Sequence, residues 1–94
     1  MTRLKKPRRL RFSPSVYYYK PRGIPLSGLD EVVLERDELE ALKLHDVDEL
    51  EQIDAAKKME ISQPTFGRII DRAYKKIARA IIEGKAIRIE KTLE

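Results

Sequence analysis

The sequence predicts a mainly α domain, with a three-helix helix-turn-helix core flanked by short N- and C-terminal β-strands. Three observations carry this. Two helical patterns, one ending at Met59 and the other starting near Gln63, are separated by a break too short to be a loop. The second pattern places Phe66, Ile69, Ile70 and Ala73 at i, i+3, i+4 and i+7, the spacing of a half-buried helix. The segment Lys85-Ala-Ile-Arg-Ile-Glu alternates polar and apolar residues through Ile87 and Ile89, which is strand periodicity. The chain divides into a basic arm with a strand and a Pro/Gly loop (1–33), the helical core (34–84) and a C-terminal strand (85–94), all within one structural domain.

Residues 1–11 hold Arg3, Lys5, Lys6, Arg8, Arg9 and Arg11 around Pro7, with too few apolar groups to fold alone. Leu10, Phe12, Val16 and Tyr17-Tyr18-Tyr19 have the aromatic and β-branched bias of short strands. Exposed tyrosines among cations stack on bases; packed ones fix the strand to the helices. Lys20-Pro-Arg-Gly-Ile-Pro excludes helix and central strand. It is either a basic loop that meets a phosphate backbone or a connector anchored to the core by Ile24 and Leu26.

Helix one is expected over 36–45, stapled at its start by Leu34 and Leu39, with Asp37 and Glu38 at the positive end of its dipole. The bridge 46–50 turns Val47 and Leu50 inward, and the single histidine, His45, is expected at the surface. Helix two is expected over 51–59 and helix three over 63–83, the latter capped by Ser62, with Pro64 in its first turn and Gly84 as its stop. Its apolar stripe is expected to continue through Ile77, Ala80 and Ile81. Glu60 falls where the turn calls for a positive φ. The lone C-terminal strand requires a partner, either 10–12 or 16–19, in this chain or in a second one.

The 94 residues carry a net charge of +4, which hides a segregation. Residues 1–29 sum to +8, residues 30–62 to −8 and residues 63–94 to +4. Such a distribution suits one face that meets a polyanion. The absence of cysteine excludes disulfides and thiolate metal sites, and no apolar run reaches membrane-spanning length. The expected location is the cytoplasm. One histidine and no spaced acid–base pair leave no catalytic constellation, so neither an enzyme nor a cofactor is expected.

Off the apolar stripe of helix three lie Gln63, Thr65, Arg68, Asp71, Arg72, Lys75, Lys76 and Arg79. The first turns of a recognition helix sit deepest in the major groove, so Gln63, Thr65 and Arg68 are the expected base-reading residues. Arg72, Lys75 and Lys76, with Arg3, Lys5, Lys6, Arg8, Arg9 and Arg22, are the expected phosphate contacts. Double-stranded DNA bound by a homodimer is the expected partnership. Two alternatives stand beside it: an RNA-binding or ribosome-associated basic protein, and a module whose acidic helices dock a basic protein. A plain amphipathic helix with a solvated charged face is the bland reading of the same residues.

Lys-Pro-Arg-Gly-Ile-Pro at 20–25, Asp-Glu-Leu-Glu-Ala-Leu at 37–42, Ala-Ala-x-x-Met at 55–59, Thr-Phe-Gly-Arg-Ile at 65–69 and Gly-Lys-Ala-Ile-Arg-Ile-Glu at 84–90 give the chain a resemblance over nearly its whole length. It resembles a small prokaryotic family of unknown function whose members are labelled predicted DNA-binding proteins, with a helix-turn-helix similar to region 4 of sigma factors. The resemblance implies a transcription-regulator role, with the transcription machinery as a further partner. Relatives often carry cysteines in the basic N-terminal segment, Gly at the position of Glu60 and a basic residue at that of Gln63. The base contacts of this chain are therefore its own.

Overall fold

The computed structural model describes residues 17–90. The expected strand 10–12 and the arm residues Arg3, Lys5, Lys6, Arg8 and Arg9 lie outside them. The described chain runs β1 (Tyr17–Tyr19), a 3-10 turn (Leu26–Gly28), β2 (Glu31–Leu34), α1 (Arg36–Leu42), a π-helical turn (Lys43–Val47), α2 (Gln52–Met59), α3 (Gln63–Glu83) and β3 (Ala86–Ile89). It is mainly helical, with a small three-stranded sheet.

β3 is the central strand. It pairs antiparallel with β1, Tyr18 opposite Arg88, and parallel with β2, Leu34 opposite Ile89. The C-terminal strand thus has 17–19 as one of its partners. β2 was not anticipated, because Glu31-Val-Val-Leu is too short for its alternation to stand out and the sequence continues straight into a helix start. It lies across the 33/34 division of the sequence.

Two apolar clusters build the core. Ala41, Leu44, Ala55, Ala56, Phe66, Ile69 and Ile70 fill the space between the three helices. Leu34, Ala73 and Ile89 pack the sheet onto the middle of α3, and Leu42 touches both clusters. Three alanines at the helix contacts, Ala41, Ala55 and Ala56, let the backbones approach closely.

α2 ends in a Schellman motif. Ile61 N–H donates to Ala56 O and Glu60 N–H to Lys57 O, both at 3.0 Å, with Glu60 left-handed at φ 61°. Three residues then redirect the chain. Ser62 caps α3 by accepting the Thr65 N–H at 3.2 Å, and Pro64 occupies the first turn, where no donor is needed.

α1 continues past Leu42 in a wider turn, in which the Asp48 N–H reaches Lys43 O at 2.8 Å and Glu49 takes φ 63°. That widening alters three sequence-based expectations. Val47 points outward and is 73% exposed. His45 is half-buried, its Nδ1–H donating to Leu50 O at 2.7 Å and its ring edge-on to Phe66. The helix proper ends at Leu42, three residues short of His45. Ile81 also departs from the expected stripe and is 70% exposed. Ile24 and Leu26 are exposed, so the Pro/Gly segment is not anchored in the core.

Among the described residues the one buried charge is Glu38, fully excluded from solvent. Its Oε1 accepts the Glu35 N–H at 2.9 Å, closing a capping box at the start of α1, and the Lys76 ammonium at 2.8 Å. Its Oε2 accepts Arg72 Nε at 2.9 Å. Lys76 also donates to Val33 O at 2.7 Å. One carboxylate thereby joins α1, α3 and β2. Burial alone pushes its pKa up; the Glu35 N–H and the Lys76 and Arg72 donors outweigh it and hold the pKa below the ordinary carboxylate value.

Two expectations follow for stability. Glu38→Gln keeps the shape but leaves two cations facing a neutral amide, a loss expected at about 3–5 kcal/mol by urea unfolding at neutral pH. A loss below about 1 kcal/mol would place this pair with ordinary surface bridges. Because the native pKa is lowered, the stabilisation is complete above the ordinary carboxylate range and disappears as pH falls through the native pKa. The acid-side fall in Tm should accordingly be shallower in Glu38→Gln. Glu60→Gly removes a left-handed strain on the order of 1 kcal/mol, so its Tm should rise; an unchanged or lower Tm refutes this.

Candidate nucleic-acid interface

The turn at Glu60–Ser62 presents the first turns of α3 to solvent. Gln63 and Arg68 are exposed and Thr65 is half-buried. Ser62 Oγ donates to Thr65 Oγ1 at 2.9 Å, and Arg68 Nη2 donates to the same oxygen at 3.3 Å. This short chain of hydrogen bonds holds the three side chains along one edge of the helix. Arg68 faces no carboxylate among the described residues, so its guanidinium retains free donors in a fork suited to a guanine edge.

From Arg68 the cations continue along the same face. Arg72, Lys75, Lys76 and Arg79, with Glu35, Val32 and Val33, line a cleft of about 390 Å³ between α3 and β2. Each has an acid nearby. Arg72 reaches Asp37 at 3.5 Å as well as Glu38, Lys75 reaches Asp71 at 3.0 Å, and Arg79 reaches Glu83 at 3.9 Å. The Lys75 and Arg79 pairs are exposed and contribute little, so either cation can turn to a phosphate at small cost.

Lys76 differs. It was expected on a phosphate, yet its ammonium is bonded to buried Glu38 and to Val33 O. Leaving them would strand a buried carboxylate, so its place is internal. Arg72 has a divided role, with Nε on Glu38 and the rest of its fork toward solvent and Asp37. Reading α3 as a bare amphipathic helix hid this, because Glu38 looks like any first-turn acid until the tertiary packing closes over it. The capping-box spacing from Glu35 was the only available signal.

Arg22 is exposed, but its neighbours Lys20 and Pro21 line a cleft with Ala80 and Ile81. That places its loop beside the C-terminal half of α3, away from Gln63–Arg68. Lys20 Nζ closes the loop on Ile24 O at 2.7 Å. Among the described residues no group of His, Cys, Asp and Glu converges to hold a metal, and no helix is long and apolar enough to cross a membrane.

The chain belongs to the family described as protein of unknown function DUF134, whose profile matches residues 1–92. It is 53% identical over 90 residues to the UPF0251 protein TTE1845 of Caldanaerobacter subterraneus subsp. tengcongensis, covering 96% of this chain and 76% of that one. It is 50% identical to the UPF0251 protein Teth39_0655 of Thermoanaerobacter pseudethanolicus, with the same coverage, and 49% identical to a UPF0251 protein of Halothermothrix orenii, covering 67% of the latter. No solved structure matches.

The division of the cations yields a direct expectation. Lys76→Met should destabilise the fold by about 2 kcal/mol or more, since Glu38 loses a charged partner in a buried place. Lys75→Met should stay within about 0.5 kcal/mol of the parent. Urea unfolding of the two variants side by side checks it; equal losses would refute the internal role of Lys76.

Proposed function

We propose that this member of a family of unknown function binds double-stranded DNA and regulates transcription. The carrying observation is the uncommitted Arg68, held in line with Thr65 and Ser62 at the exposed start of a helix that follows a three-residue turn. Gln63, Thr65 and Arg68 reach base edges in the major groove. Lys75, Arg79 and the outer part of Arg72 lie along the phosphates, with a phosphate oxygen drawn toward the cleft beside β2. The N-terminal arm (Arg3, Lys5, Lys6, Arg8, Arg9) adds affinity without sequence preference, by displacing counterions. The sigma region 4-like resemblance and the charge segregation support the same reading. The exposed acids from Glu40 to Asp54, most of them in the connection between α1 and α2, keep their face away from the polyanion and orient the approach.

A second reading has an observation of its own. Tyr18 and Tyr19 are exposed on opposite faces of β1, close to Lys20 and Arg22, and an exposed tyrosine beside cations suits stacking on single-stranded or looped RNA. Competition between duplex DNA and structured RNA for the protein separates the two.

The decisive experiment is selection of bound duplexes from a random library, for the parent and for Arg68→Ala. The parent should enrich a motif. Arg68→Ala should lose about 1–3 kcal/mol of discrimination at one or two positions of it while keeping affinity for random duplex within a few fold. Failure of the parent to enrich any motif, or an equal loss on selected and random DNA, overturns base reading by this helix.

A further inference from the structure

α3 has a third face. At about 100° per residue, its buried stripe centres on Ala73, and the cations from Arg68 to Arg79 lie on one side of it. On the opposite side come Tyr74, Ala78, Ile81 and Ile82, all exposed, the two isoleucines at 70% and 82%. Nothing in the described chain covers the isoleucines, while Tyr74 keeps its ring edge in solvent and its hydroxyl on the Asp46 carboxylate at 2.8 Å. The adjoining cleft of about 360 Å³, lined by Tyr19, Pro21, Ile81 and Ile87 with Lys20 and Lys85 at its sides, extends this surface onto β1. A continuous apolar flank on a helix that is charged on its other exposed side is a surface awaiting a partner.

We propose that this flank is a self-association surface, with α3 of a second copy packed antiparallel across it about a two-fold axis at Ala78. The pattern is self-complementary about that residue. Ala78 meets its own copy, where a small side chain lets two helix backbones approach. Tyr74 then lies opposite the partner's Ile82, since both are four residues from Ala78. Asp71 and Lys85 bound this stripe, seven residues to either side of Ala78, each already paired within its own chain, Asp71 with Lys75 and Lys85, beyond the Gly84 stop, with Glu83. No pair of like charges is brought together on this stripe.

The arrangement also fits the helix's other face. The apolar and cationic stripes lie roughly 110° apart around α3, so a two-fold that joins the apolar stripes turns both cationic stripes to one side. Thr65 is 13 residues from Ala78, about 20 Å along the axis, which puts the two copies of Thr65 on the order of 40 Å apart. One turn of B-DNA separates half-sites by ~34–36 Å. This correspondence deepens the duplex reading, but the interface itself rests on the apolar flank alone and is tested without nucleic acid.

The protein has no cysteine, so one introduced thiol reports one position. Sedimentation equilibrium of the full chain should give a dimer. Ile82→Glu and Ala78→Glu, both at exposed positions that leave the core intact, should each weaken self-association by roughly 30-fold or more while the far-UV spectrum is unchanged. Ala78→Cys under mild oxidation should form a disulfide-linked dimer at least about tenfold faster than Lys58→Cys, an exposed control on α2. A monomeric parent at about 100 µM overturns the proposal. So does a dimer in which Ala78→Cys links no faster than the control, which would place the contact elsewhere, for instance on the free edge of β1. A dimer that passes both tests but selects no duplex motif would leave the interface standing and remove the DNA reading.

Discussion

The fold hangs on a carboxylate that the hydrophobic clusters alone would not require. Glu38 sits out of solvent at the junction of α1, α3 and β2, and each of those elements supplies or anchors one of its donors. Apolar packing between Leu34, Ala73 and Ile89 is non-directional and would tolerate α3 sliding along the sheet. Two charge-assisted bonds from residues 72 and 76, one helical turn apart, fix both the rotation and the translation of α3. Glu90 adds a smaller tie of the same kind: its Oε1 accepts the Arg36 N–H at 3.1 Å, pinning the start of α1 to the end of β3.

This arrangement supports a 21-residue helix along nearly its whole length. Its first half packs on α1 and α2 through Phe66, Ile69 and Ile70, and its second half lies on the sheet through Ile77 and Ala80. Neither support covers more than one side. The remaining surface divides into a cationic side bordered by β2 and an apolar side bordered by β1, because β3 sits between those two strands beneath the helix. Strand order therefore decides which flank of α3 neighbours which surface.

The helices were legible in the sequence wherever a local signal fixed them. Ser62, Pro64 and Gly84 marked the ends of α3, and the turn at Glu60 adopts the positive φ its position calls for. What escaped was set by long-range contacts. β2 is strand only because β3, more than fifty residues later, arrives to pair with it. Val47 looked like a core residue as one of the two apolar residues in the bridge 46–50, but a single π-helical turn rotated it outward and drew His45 toward Phe66 instead. The same limit holds at the candidate interface. Helical spacing placed Arg68, Arg72, Lys75 and Lys76 on one face, and the structure keeps them there. Which of these cations is free depends on Glu38, which no periodicity could have assigned to the interior.

Arg72 couples the two roles. Its Nε belongs to the buried carboxylate, while its outer nitrogens share solvent with Asp37, whose Oδ1 is buried and has no hydrogen-bond partner among the described residues. Under the proposed duplex reading, a phosphate approaching the cleft would compete with Asp37 for those nitrogens and not with Glu38, since the bond to Glu38 is the shorter and the better shielded. Exchange of one anion for another at the outer end of Arg72 leaves the inner bond in place, so binding there need not loosen the fold. Lys76 has no such outer end to offer. The helix thus keeps its structural charge and its exchangeable charge on adjacent turns, separated by depth and not by sequence.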